Sequence, residues 1–140
     1  MQTKEKNNIL FIRLFKDENI INKIQEACVK HKIQSAIILS AVGQFKSVKL
    51  GYFKEKGNYS PTEIKKPLEL LSLTGNISKK DNSYNLHLHT ILGDEEKNSL
   101  GGHLIDGIIS VTAEIAILKI EMNLKRKQNK DTGLLDLVLE

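Results

Sequence analysis

The chain has no tryptophan, only two prolines and a single cysteine among its 140 residues, and aromatic residues make up just 5% of it. A lone Cys28 cannot form an internal disulfide, so the fold must rest on its core, and a reducing compartment fits that usage. The apolar runs all fall far short of the roughly 20 residues that cross a bilayer as a helix. The polar opening "MQTKEKNN" has no apolar signal segment behind it, which sets the expectation of a cytoplasmic protein without membrane partners. A G-x-S-x-G elbow and a phosphate-binding loop are both missing, and "LGGH" is too short for a dinucleotide fingerprint. Serine or cysteine hydrolase chemistry is therefore not suggested.

What is present is globular composition, with 40% apolar and 27% charged residues. A length of 140 residues suits one domain over 1–140 and allows burial of roughly two-thirds of the unfolded surface. Lys plus Arg exceed Asp plus Glu by 21 − 17 = 4, which is mild beside dedicated DNA-binding domains. The one dense basic cluster is "LKRKQNK", with Lys125, Arg126, Lys127 and Lys130. It reads as a solvated loop, with a phosphate-contacting patch as the alternative.

Strand signals dominate. "NILFIRLF" (8–15) reads as a first strand in which Arg13 shares a face with Ile9, Phe11 and Phe15. In the next segment, Ile20, Ile21, Ile24, Ala27, Cys28 and His31 recur at helical spacing, with Asp17 as the expected N-cap. Cys28 and His31 read as core or boundary residues. Further strands are expected over 35–43, 47–53, 68–78, 83–92, 108–122 and 133–140, with "KKDN" as a hairpin turn and "GDEEKNSLGGHLIDG" as a connection. The segment 108–122 is apolar on both faces and so reads as central. The fold class is thus α+β: a strongly twisted mixed or antiparallel sheet of about seven strands packed on one main helix.

Three of the four histidines, His87, His89 and His103, fall within "NLHLHTILGDEEKNSLGGHL". Alternation in 83–92 sets Tyr84, Leu86, Leu88 and Thr90 on one face and Asn85, His87, His89 and Ile91 on the other. Same-face neighbours stand roughly 6–7 Å apart, so His87 and His89 can converge on one ion, with His103 brought back by the Gly-rich stretch. Neutral imidazoles suit zinc and similar metals, and three of them leave a fourth position open to water or substrate. The alternative is a set of exposed or hydrogen-bonded histidines. Glu69 and Glu114 lie among apolar strand residues, where a lone buried carboxylate costs several kcal/mol. Pairing with Arg13 is the structural reading of these acids. A second reading has one of them orienting a ligand histidine or a water. Gly101 and Gly102 read as positions of permissive backbone.

"PLELLSLTGNIS" followed by "HLHTILGD…GGHLIDG…VTAEI" resembles the PPC domain (plants and prokaryotes conserved), over roughly residues 8–122. The resemblance implies a homotrimer. It also implies DNA-associated roles, although the Arg-Gly-Arg-Pro hook of the plant proteins is missing here. The chain is similar to the prokaryotic subgroup, in which positions matching His87, His89 and His103 are zinc ligands. The fold so implied is related to acetolactate decarboxylase, a metal enzyme with a His-x-His and a later histidine. Two functions are then open. One is a trimeric, metal-binding module with a DNA-binding or regulatory role. The other is a zinc-dependent enzyme acting on a small molecule near the metal, with Glu69, Glu114 or Arg13 as catalytic candidates.

Overall fold

In the computed structural model, residues 1–139 are described; Glu140, at the end of the strand expected over 133–140, lies outside them. The chain runs β1 (Gln2–Lys6), β2 (Ile9–Phe15), α1 (Ile20–Lys30), β3 (Ser35–Gly51), β4 (Thr62–Ile64), β5 (Leu68–Lys80), β6 (Ser83–Gly93), β7 (Ser99–Lys119), β8 (Leu124–Gln128) and β9 (Leu135–Leu139). It is mostly β with one short helix, so the expected α+β balance shifts strongly toward β. No helix among the described residues is long and apolar enough to cross a membrane.

Seven strands form one sheet in the order β1-β2-β7-β6-β5-β3-β4, and β7 also pairs with β3. That extra pairing closes β7, β6, β5 and β3 into a ring, so the expected strongly twisted sheet of about seven strands curls into a small barrel with β1–β2 and β4 as extensions. Every pairing is antiparallel, with no mixed pairs among the described strands. Curvature has a local cause in β3, whose register against β7 shifts at four places between Ile38 and Leu50. An extra residue on one strand bends it and increases its twist. The segments expected over 35–43 and 47–53 are consequently one continuous, bulged strand. β7 can serve three partners because it is 21 residues long: β6 beside its start, β2 beside its end, and β3 along its other edge.

Alternation decides what is inside. In β2, Leu10, Ile12 and Leu14 are buried while Ile9, Phe11, Arg13 and Phe15 face out. Arg13 does share the expected face, and that face is the outer one, so no buried charge needs compensation. The barrel interior holds Phe45, Leu73, Leu88 and Ile109, all fully buried. The helix seals it with Ile20, Ile24, Ala27 and Cys28, also fully buried. Tyr84 locks helix to sheet, its hydroxyl lying 3.1 Å from the Cys28 carbonyl and 2.9 Å from that of Ile33. A buried hydrogen bond of this kind contributes about 1 kcal/mol, and leaving its partner unpaired costs more. Burial pushes the Cys28 thiol up to about 12, which leaves it a packing residue.

The helix begins two residues later than expected. Asn19 has the extended backbone of an N-cap, and its side chain accepts from the Asn22 N–H at 3.0 Å. Asp17 sits in a left-handed turn at φ 65° and pairs with Lys46 instead. At the other end His31 caps the helix and ties it to β1, with Nδ1 2.8 Å from Glu5 and Nε2 2.9 Å from Thr3. β1 itself, "QTKEK", has no apolar pattern to announce it. It is held by its ladder to β2 and by Lys119, which donates to Glu5 at 2.6 Å.

Candidate metal centre

The Gly-rich stretch before His103 is not the connection it looks like. β6 ends at Gly93, a tight turn is closed by the Asn98 N–H donating to Asp94 Oδ1 at 2.8 Å, and β7 begins at Ser99. Gly101 and Gly102 therefore lie within a strand. A Cβ on Gly101 would stand 2.4 Å from the Thr90 carbonyl oxygen, so glycine is needed there for close approach to β6 rather than for a turn. The resulting ladder sets His89 directly opposite His103. His87 stands two residues before His89 on the same outer face, as alternation requires.

The three rings form a triangle, with centroids 5.3 Å apart for His87–His89 and His89–His103 and 5.5 Å apart for His87–His103. One ring nitrogen from each lies within 4.8 Å of the others. Nitrogens of a tetrahedral site stand roughly 3.3 Å apart, so the three rings would have to close in modestly to share one ion. The donor chemistry fits as well. Burial, aided by His89 and His87, pulls the His103 pKa from the ordinary 6.5 down to about 4, keeping its lone pair free at neutral pH. Burial also lowers that of His87, with help from Arg126 and His89. The Nδ1 of His103 is buried without a hydrogen-bond partner among the described residues. The His103 and Tyr59 rings also pack edge-to-face, with centroids 5.5 Å apart. Gly51, opposite His103 in β3, makes room for the Tyr59 ring: a Cβ there would lie 2.2 Å from it.

His87 and His103 open onto a cavity of about 790 Å3. Its walls are largely apolar, with Tyr59, Asn76 and Arg126 among the polar groups. Arg126 is the surprise. Lys125, Arg126 and Lys127 lie in strand β8 while Lys130 is in the exposed turn after it, and period-two alternation in "LKRKQ" turns Leu124 and Arg126 inward while Lys125 and Lys127 stay exposed. The guanidinium donates to Asn76 Oδ1 and, at 3.1 Å, to the Leu135 carbonyl.

The Plants and Prokaryotes Conserved (PCC) domain model matches residues 1–121. The chain belongs to the PCC domain family. Among solved structures, this PCC domain is similar to a metal-containing protein from Archaeoglobus fulgidus, 30% identical with TM-score 0.85 over 96% of this chain and 95% of that one. A plant- and prokaryote-conserved protein from Pyrococcus horikoshii is 32% identical, with TM-score 0.81 over 96% and 93%. A protein from Bacteroides thetaiotaomicron, suggested to bind DNA, is 25% identical with TM-score 0.92 over 99% and 96%. A Staphylococcus aureus protein similar to α-acetolactate decarboxylase, 14% identical with TM-score 0.54 over 86% of this chain and 54% of that one, shares the fold. The curated relatives are bifunctional proteins GlmU of two Synechococcus strains, 28% identical over 131 residues, 92% of this chain. The chain spans a fifth of their length.

The other candidates of the PCC domain lie elsewhere. Glu69 is exposed, accepts from Gln44 at 2.8 Å, and sits opposite Gly93, four residues beyond His89, or roughly 13 Å along the strand. Glu114 and Arg13 face each other in register between β7 and β2, eleven residues beyond His103. The expected ion pair does not form among the described residues; Arg13 lies over the Phe15 ring at 5.2 Å. None of the three lines the histidine cavity. Asn76, Tyr59 and Arg126 do, and residue patterns around the histidines do not point to them. The period-two placement of Arg126 beside Leu124 is the one available signal.

The lowered pKa of His103 has a sign that can be checked. Its folded value lies below the ordinary one, so the unfolded chain binds more protons and the stabilisation is complete above pH 6.5. In the metal-free protein it is lost as pH falls from 6.5 through about 4. Urea unfolding across that window should show stability dropping with acidity, and His103→Asn should flatten the dependence.

Proposed function

We propose that this PCC domain is a metal-binding module in which His87, His89 and His103 hold one divalent transition ion, zinc first, beside a cavity that admits a small ligand. The observation that carries the reading is the convergence of three ring nitrogens from adjacent strands, two of the rings held toward the neutral form by their surroundings. All-nitrogen, three-residue donor sets are those of zinc sites with an exchangeable position. An ion there would supply a Lewis acid to an oxygen-bearing ligand. The protein's own part is to aim the imidazoles, shelter the cavity and set Asn76 and Arg126 at its edge. The metal-containing description of the Archaeoglobus relative supports this.

The chain is read as one such unit from end to end, assembled as a homotrimer. Support for assembly comes from the outer face of the barrel, where Phe11 is 58% and Val42 54% exposed on strands flanking β7. Exposed apolar groups on neighbouring strands fit an interaction surface, and closed rings of identical subunits are a common way to cover one. A DNA-associated regulatory role is the second reading. It is favoured by the exposed Lys125 and Lys127 on one edge of β8 and by the DNA-binding description of the Bacteroides relative.

Elemental analysis of protein purified without a polyhistidine tag should give one zinc per chain, and light scattering should give three times the 15.8 kDa chain mass. His87→Ala/His89→Ala should lose the metal and unfold at lower temperature than the loaded protein. Metal retained in full by that variant would mean the ligands are elsewhere. For the second reading, mobility shifts across a salt series should exceed those of a control of equal charge. Equal shifts would remove DNA.

A further inference from the structure

The family match ends at residue 121, yet one wall of the histidine cavity is built by residues C-terminal to that point. β8 and β9 pair as a two-stranded ribbon against β5, and Arg126, Leu134, Leu135, Asp136 and Leu137 all line the cavity from it. Arg126 is positioned rather than loose. Its Nη2 is tied to Asn76 and its Nη1 to the Leu135 carbonyl, and Asn76 is the cross-strand partner of His87. The third donor, Nε, is buried and donates to nothing among the described residues. No carboxylate forms an ion pair with the guanidinium among the described residues, although Asp136 is close enough to act on it. A half-buried cation with a spare donor carries a desolvation cost that an arriving anion relieves.

We propose that the cavity takes a small organic monocarboxylate, held between Arg126 and the ion on the histidines, and that the C-terminal ribbon is the element that selects it. This deepens the metal reading above and rests on it. The volume, about 790 Å3, is that of a small-molecule site. The walls suit the ligand's two ends. Arg126, its Nη1 and Nη2 already tied to Leu135 and Asn76, offers its positive charge and remaining N–H groups to a carboxylate, and Ile21, Leu86, Leu104 and the ribbon leucines offer an apolar surface to the rest of the ligand. Asp136 on the same lining disfavours a dianion such as phosphate, which would gain one guanidinium and meet a carboxylate.

The test uses the full chain loaded with Co(II), whose visible absorption reports on what enters its ligand sphere, and pyruvate as the probe. Pyruvate should perturb the spectrum saturably, and Arg126→Gln should weaken its Kd about tenfold or more, the scale of a charged hydrogen bond lost. Co(II) stoichiometry should be unchanged in that variant, and Arg126→Lys should recover part of the affinity. Pyruvamide, the uncharged analogue, should bind wild type and Arg126→Gln alike. Equal pyruvate affinity in wild type and variant, with stoichiometric Co(II) in both, overturns the assignment of Arg126 and leaves the metal reading standing. Inorganic phosphate binding more tightly than pyruvate also overturns it. Failure of the wild type to take up Co(II) overturns the metal reading, and this proposal with it.

Discussion

The pairing of β6 with β7 sets His89 opposite His103, and the geometry of the site depends on that register. A slip of one residue would turn every side chain of a strand to the other face, sending imidazoles into the barrel and Leu88 or Leu104 out of it. The register is therefore held by the core: Leu88 and Leu92 on β6, and Leu104 and Ile109 on β7, are all buried. Ring closure adds a second constraint, because β7 is paired on its opposite edge with β3, where Gly51 faces His103. The same hydrophobic burial that stabilises the barrel thus places three imidazoles on its outer surface. No loop has to be ordered to assemble them.

Electrostatics depends on that placement. His103 is half-buried against Tyr59 and the other rings, and a proton on it would meet both desolvation and two neighbouring imidazoles. His87 has in addition the guanidinium of Arg126 nearby. Two rings that resist protonation near neutral pH, those of His87 and His103, have lone pairs open to an ion. The same cation that discourages a proton on His87 is available to an anionic ligand. One arrangement of charges would thus serve both an ion on the triad and an anionic ligand beside it.

Much of this is legible in the residues. Alternation in "SYNLHLHTIL" places His87 and His89 on one face, helical spacing finds α1, and the shared face of Arg13, Ile9, Phe11 and Phe15 in β2 is visible from the same period. The features that escape have physical reasons. Closure of the ring depends on β7 meeting β3, a pairing far apart in sequence that no local period encodes. β1 carries polar residues because it is an edge strand held by ion pairs. The glycines before His103 look like a loop because close approach and a turn demand the same residue. Apolar neighbours make Glu69 and Glu114 look buried, whereas alternation leaves both outside. Arg126 is hidden in a run of like charges, where only the fold distinguishes one that turns inward.

The central claim is that His87, His89 and His103 jointly hold one ion. X-ray absorption at the zinc edge on the zinc-loaded protein tests it most directly. The expected result is a shell of three imidazole nitrogens at about 2.0 Å, completed by oxygen. A shell containing sulfur from Cys28, or one with a single imidazole, would contradict it.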